Sequence, residues 1–112
     1  MTKHAPLIVV SSGEPAGIGP DISLALASRR FGARLAVLGD LDLLQSRARL
    51  LRSSVELRAC SEPGDVTEHE VGRLQVLPVA LPAPTVPGKL DTRNAGYVLS
   101  MLRAGTELVV AG

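Results

Sequence analysis

Ser11-Ser12-Gly13-Glu14-Pro15-Ala16-Gly17-Ile18-Gly19-Pro20-Asp21-Ile22 is the stretch on which the reading of this chain turns. Three glycines and two prolines fix a bend between two regular elements. Upstream, Leu7-Ile8-Val9-Val10 is apolar and β-rich and stops at the serines, which predicts a strand buried on both faces of a parallel sheet, hence a central one. Downstream, Pro20 has the φ suited to a first helical turn, Asp21 puts negative charge at the positive end of the dipole, and Gly32 supplies a left-handed stop. A helix over 20–31 is expected, with Ile22, Ala25, Leu26 and Arg29 on its sheet-facing side.

Working outward, residues 35–38 form a second apolar run ending in Gly39-Asp40, and Asp40 is placed to cap a helix. The spacing gives that helix an inner face of Leu41, Leu44, Ala48 and Leu51 and a polar face carrying Arg47, Arg49 and Arg52. Val55, Leu57 and Ala59 alternate with Glu56 and Arg58, the pattern of a strand near an edge. Residues 60–72 are polar and broken by Pro63 and Gly64, which predicts a surface loop. Residues 74–79 read as a strand, with Pro78 restricting it to an edge or marking its end. A proline-rich extended connector over 81–88 leads to Asp91, which can cap a last helix with Ala95, Val98, Leu99 and Leu102 inward. Residues 106–112 are ambiguous, because β-branched residues favour a strand while the helical register could continue. The order βαβαβ followed by a less regular β and α predicts an α/β layer structure, and 112 residues suit one domain with no second.

Composition excludes several functions. Twelve basic and eleven acidic residues leave a formal charge of +1, so no basic field exists to recruit nucleic acid. Phe31 and Tyr97 are the only aromatic residues, which argues against stacking on bases. No apolar run approaches the length that spans a membrane, and the opening segment lacks a signal-peptide pattern. The single Cys60 cannot form an internal disulfide, which fits a reducing cytoplasm and a spare thiol rather than a nucleophile.

A strand, a glycine-rich turn and a helix start together favour an anion, because unpaired N–H groups converge there. The turn is not a P-loop: no Lys-Ser or Lys-Thr follows the last glycine, and Pro20 removes a donor. It also fails the dinucleotide fingerprint, which needs Gly or Ala where Ile22 stands. On the residues alone, a structural turn and a ligand contact stand level. Asp40 reads as a helix cap ahead of a ribose-binding acid, and Glu14 as a solvated turn residue ahead of a catalytic acid. His4 and His69 have no partners at ligand spacing and are expected in solvent. Arg93 and Asn94 read as a polar first turn.

The run from Gly13 through Glu14, Pro15, Ala16, Gly17, Ile18, Gly19 and Pro20 to Asp21 resembles the amino-terminal signature of the 4-hydroxythreonine-4-phosphate dehydrogenases of pyridoxine and pyridoxal phosphate biosynthesis. Leu77-Pro78-Val79, Pro87-Gly88-Lys89-Leu90-Asp91 and Asn94-Ala95-Gly96-Tyr97-Val98-Leu99 agree in order. The resemblance implies a layered fold like that of isopropylmalate dehydrogenase, incomplete here, with residues 1–112 as the amino-terminal third. It implies NAD- or NADP-dependent oxidation of 4-phosphohydroxy-L-threonine with decarboxylation to 3-amino-2-oxopropyl phosphate, in a cytoplasmic homodimer.

A divalent metal (Zn, Mg or Co) is implied for the whole enzyme, with its ligands beyond Gly112, so the fragment is expected to be inactive alone. The resemblance also favours a helix through 106–111. Carried over by residue, Gly13, Glu14, Pro15, Ala16, Gly17, Ile18 and Gly19 are expected to support the cofactor cleft. No catalytic residue and no metal ligand transfers. Alternatives are a relative acting on 4-phosphothreonate, 4-phosphoerythronate or a dihydrodiol, or a scaffold without catalysis.

Overall fold

Four parallel strands carry the molecule: β1 (Leu7–Ser11), β2 (Arg34–Gly39), β3 (Glu56–Ala59) and β4 (Arg73–Pro78), in the order β1-β2-β4-β3. This computed structural model describes residues 6–83 and 85–111. The register pairs Val9 with Ala36, Val37 with Val76 and Leu57 with Leu74. Period-two alternation then sorts the side chains into two cores. Leu35, Val37 and Val76 meet Leu24 of α1 (Gly19–Ala25) and Leu44 of α2 (Leu41–Leu50) on one face. Ala36, Leu38 and Leu77 meet Tyr97 and Met101 of α3 (Ala95–Ala111) on the other. The α/β class is as expected, and the cores are aliphatic with one tyrosine.

The strands are arranged differently from the expectation in one respect. β1 lies at the margin of the sheet, with Ile8 44% exposed, and is not central among the described strands. An apolar run records how a strand is covered above and below, not how many neighbours it has. β4 is an inner strand although it contains Pro78. The proline is its last residue, and Val79 N–H resumes bonding to the Gly39 carbonyl at 2.9 Å, so Pro78 marks the strand's end. β3 is an edge strand, as its alternation suggests.

Helix boundaries and faces also shift. α1 ends at Ala25 and tightens into a 3-10 turn over Leu26–Ser28. Its buried positions are Pro20, Ser23 and Leu24, continued by Ala27, while Ile22 is 58% exposed. Ser23 hid this face from the apolar pattern; its hydroxyl is satisfied by the Gly19 carbonyl at 2.9 Å. The helix stops because the 60–72 segment takes its next carbonyls: Gly72 N–H donates to Ala27 and His69 Nε2 bonds to Arg29, both at 2.8 Å. That segment is therefore not a plain surface loop. Val66 and Cys60 are buried in it, and Gln75 ties it to β4 by accepting from Thr67 N–H at 2.9 Å.

His69 is buried rather than solvated, with the edge of its ring set against Phe31. His4 lies outside the described residues. α3 continues to Ala111, as the family pattern favours, and Ala104 and Leu108 extend the stripe begun by Tyr97 and Met101. Of the inner face expected, Val98 packs against this core, while Leu99 and Leu102 face outward at 66% and 55% exposure. Among the described residues no helix is long and apolar enough to cross a membrane.

Candidate functional site

The glycine-rich bend sits at the carboxyl end of β1, beside the ends of β2 and β4, where open parallel sheets place their ligands. Ser12 extends the ladder through its N–H to the Leu38 carbonyl at 3.0 Å and is fully buried. Gly13 then takes φ +73°, a left-handed conformation costly for other residues. Gly17 N–H closes a turn on the Glu14 carbonyl at 3.0 Å. At Gly19 the backbone passes directly over Ser12, and a Cβ there would overlap the Ser12 carbonyl oxygen. The glycines at 13 and 19 are thus needed for two different reasons, one torsional and one steric.

Three elements hold this bend from behind. Arg47 of α2, only 3% exposed, donates from Nη2 to the Pro15 carbonyl at 2.6 Å and from Nη1 to the Gly17 carbonyl and Asp21 Oδ1, each at 2.9 Å. Burying a guanidinium demands such partners. Gly88 N–H, from the proline-rich connector, donates to the Ala16 carbonyl at 2.7 Å. On the α3 side, the Tyr97 hydroxyl lies 3.5 Å from Ser12 Oγ and accepts from Asp40 N–H at 2.7 Å. Burial pushes the Tyr97 phenol above its ordinary range, with the Ser12 and Asp40 hydrogen bonds pulling the other way. A Cβ on Gly39 would stand 2.7 Å from Ser12 Oγ and 3.3 Å from the tyrosine oxygen, so the knot closes only around a glycine.

The expected site residues are thus brought together, with differing roles. Gly13, Gly17 and Gly19 shape the bend, Pro15 and Ala16 are buried, and Ile18 points outward at 70% exposure. Glu14 folds back, its Oε1 accepting from Ala16 N–H at 3.3 Å, so it braces its own turn. Asp40 is a cap: Oδ1 accepts from Leu43 N–H at 2.9 Å and Oδ2 from Leu81 N–H at 2.8 Å, which leaves a ribose nothing to compete for cheaply. Asn94 is buried, accepting from Ala83 N–H at 2.9 Å, and Arg93 pairs with Asp91 at 2.6 Å in solvent. The Arg93 hydrogen bonds hold the Asp91 carboxyl down at about 2.

Arg47 is the residue that sequence reasoning misplaced. The sequence pattern puts it on the polar face, yet Leu43, Leu44, Arg47 and Ala48 are the buried positions of α2, and Leu51 is 51% exposed. The i, i+1, i+4, i+5 spacing of these four was visible, but the charge of Arg47 disguised it.

Chemically, the bend can hold and orient. Its carbonyls at Glu14, Pro15, Ala16 and Gly17 are all engaged within the protein. A groove of about 980 Å³ lies elsewhere, between β1 and α3, lined by Leu7, Val9, Leu38, Met101 and Leu108. Cys60 is buried and free, and burial pushes its thiol up, away from nucleophile chemistry. Among the described residues no three His, Cys, Asp or Glu converge to hold a metal ion.

The chain is similar in sequence to curated dehydrogenases. Those that cover the chain are 4-hydroxythreonine-4-phosphate dehydrogenases, and its structural neighbours are of the same family. The Methylococcus capsulatus enzyme is 49% identical over 107 residues, covering 96% of this chain and 32% of the relative. The Yersinia enterocolitica enzyme is 36% identical over all 112 residues, 34% of its own length. The crystal structure of the Klebsiella pneumoniae enzyme superposes with a TM-score of 0.84 at 23% identity, covering 97% of this chain and 34% of that one, a likeness that carries the fold. No protein-family model matches the chain. The chain spans about a third of the length of the curated relatives it matches.

Proposed function

We propose that this chain supplies the amino-terminal part of a 4-hydroxythreonine-4-phosphate dehydrogenase, a cytoplasmic homodimer that oxidises 4-phosphohydroxy-L-threonine with NAD or NADP and releases carbon dioxide to give 3-amino-2-oxopropyl phosphate. The observation that carries this reading is the 49% identity to such an enzyme across nearly the whole chain.

Within that reaction the chain's residues position rather than react. The bend of Gly13, Glu14, Pro15, Ala16, Gly17, Ile18 and Gly19 forms part of the wall of the cofactor cleft. Its position at the sheet's carboxyl end supports the assignment, as does the open space around Gly13, where a ligand's backbone approach meets no side chain. When bound, the dinucleotide would accept the hydride. The residues that would meet it here are Gly13 and the exposed Ile18, while Asp40 is already committed to two backbone donors. The divalent metal of the reading has no ligand set among the described residues.

Fragment complementation tests the proposal. The 112-residue chain is mixed with the portion of the Methylococcus capsulatus enzyme that it does not match, and reduction of NAD and NADP is followed with 4-phosphohydroxy-L-threonine, 4-phosphothreonate and 4-phosphoerythronate. Activity with the first substrate, absent from either piece alone, is expected. No activity from the mixture with any of the three would sink the reading, and a preference for another substrate would replace it.

A further inference from the structure

We infer that Arg47 is a positioning residue for the bend, fixing the shape of its outward face before any ligand arrives. The inference rests on the reading of the bend as a cofactor-cleft wall. Its basis is geometric. A trans peptide points its C=O and the following N–H in opposite directions. Arg47 grips the carbonyls of Pro15 and Gly17, so the peptides 15–16 and 17–18 are each pinned by their inward ends, and the directions of Ala16 N–H and Ile18 N–H are set with them. Glu14 captures the first of these. The second leaves the bend on the side away from Arg47, at the residue most exposed to solvent in the loop.

The grip also crosses elements. One guanidinium joins α2 to the bend and, through Asp21, to α1. Its fork spans two carbonyls separated by one residue, a task for a planar group with several donors and not for an ammonium. Loss of the grip should therefore loosen the bend locally, leaving the sheet hydrogen bonds intact.

Amide hydrogen exchange separates positioning from general stabilisation. Gly17 N–H and Gly88 N–H report the bend, since they bond to Glu14 and Ala16; Cys60 N–H and Val79 N–H, bonded to Val76 and Gly39, report the sheet. In Arg47→Met the first pair should exchange at least tenfold faster with the second unchanged, and Arg47→Lys should fall between. Should the Met variant fail to fold, the Lys variant decides by the same comparison. Acceleration of all four amides together, or of none, overturns the inference.

Calorimetric titration of the intact chain with NAD and NADP supplies the second arm. Arg47→Lys is expected to bind at least fivefold more weakly than the unaltered chain, and equal affinities overturn the positioning role. Absence of binding by the unaltered chain overturns the cleft-wall reading instead, and the exchange comparison still decides whether Arg47 shapes the bend.

Discussion

Gly19 and Ser12 stand so close that the α-carbon of the first admits no substituent against the carbonyl oxygen of the second. This contact folds the chain back over the end of β1. Gly19→Ala is expected to destabilise the protein by about 3 kcal/mol, at the upper end of overpacking costs, because the obstacle is backbone and cannot swing aside. Gly96, in the first turn of α3 with open space around it, is the control. Gly96→Ala should stabilise by about 1 kcal/mol through helix propensity. Urea unfolding of the pair gives the comparison, and equal midpoints would show that the crossing relaxes.

Removing the Tyr97 hydroxyl leaves Asp40 N–H without its 2.7 Å acceptor. Tyr97→Phe is expected to cost about 1–3 kcal/mol, the penalty of an orphaned buried donor. A loss below a few tenths in the same unfolding experiment would mean that another acceptor replaces it.

Alkaline stability follows from two raised values. Burial raises Cys60 and Tyr97 alike, so each folded group holds its proton to higher pH than the unfolded one. Their contribution is full below the unfolded values of about 8.5 and 10, and is lost as pH rises through the shifted ones. Urea midpoints should therefore decline above about pH 8.5. Cys60→Ala should flatten the earlier part of the decline and Tyr97→Phe the later part; an unchanged slope in both would refute the assignment.

At the acid end, Asp91 is expected to titrate at about 2 by NMR, held down chiefly by the Arg93 side-chain hydrogen bond. Here the sign is opposite. A depressed carboxyl favours the folded state above the unfolded value and ceases to do so as pH falls toward 2. In Arg93→Ala the midpoint should return toward about 3.9. A value still near 2 would exclude Arg93 as the cause.

The sequence disclosed the layer order, the Asp40 cap, the end of β4 at Pro78 and the edge position of β3, because each is written in a few adjacent residues. It also disclosed the bend, since only its glycines admit such a path. The phase of every helix was harder. Ser23 in α1 and Arg47 in α2 are polar residues on buried faces, satisfied by partners 4 to 32 positions away in the chain, and a hydrophobicity pattern assigns them to solvent. In α3 the apolar residues outnumber what one face can hold, so Leu99 and Leu102 looked as eligible as Tyr97 and Met101. His69 was misread for a related reason: the groups that bury it, Phe31 and the Arg29 carbonyl, lie about forty residues upstream, in a segment expected to remain helical.

With one tyrosine and no tryptophan, the chain has a single fluorophore that absorbs at longer wavelength than phenylalanine, and it lies where β1, β2 and α3 are tied together. Any optical change in that spectral band therefore originates at one address, beside the start of the glycine bend. The protein carries its own site-specific dye there, with no label to attach and no background to subtract.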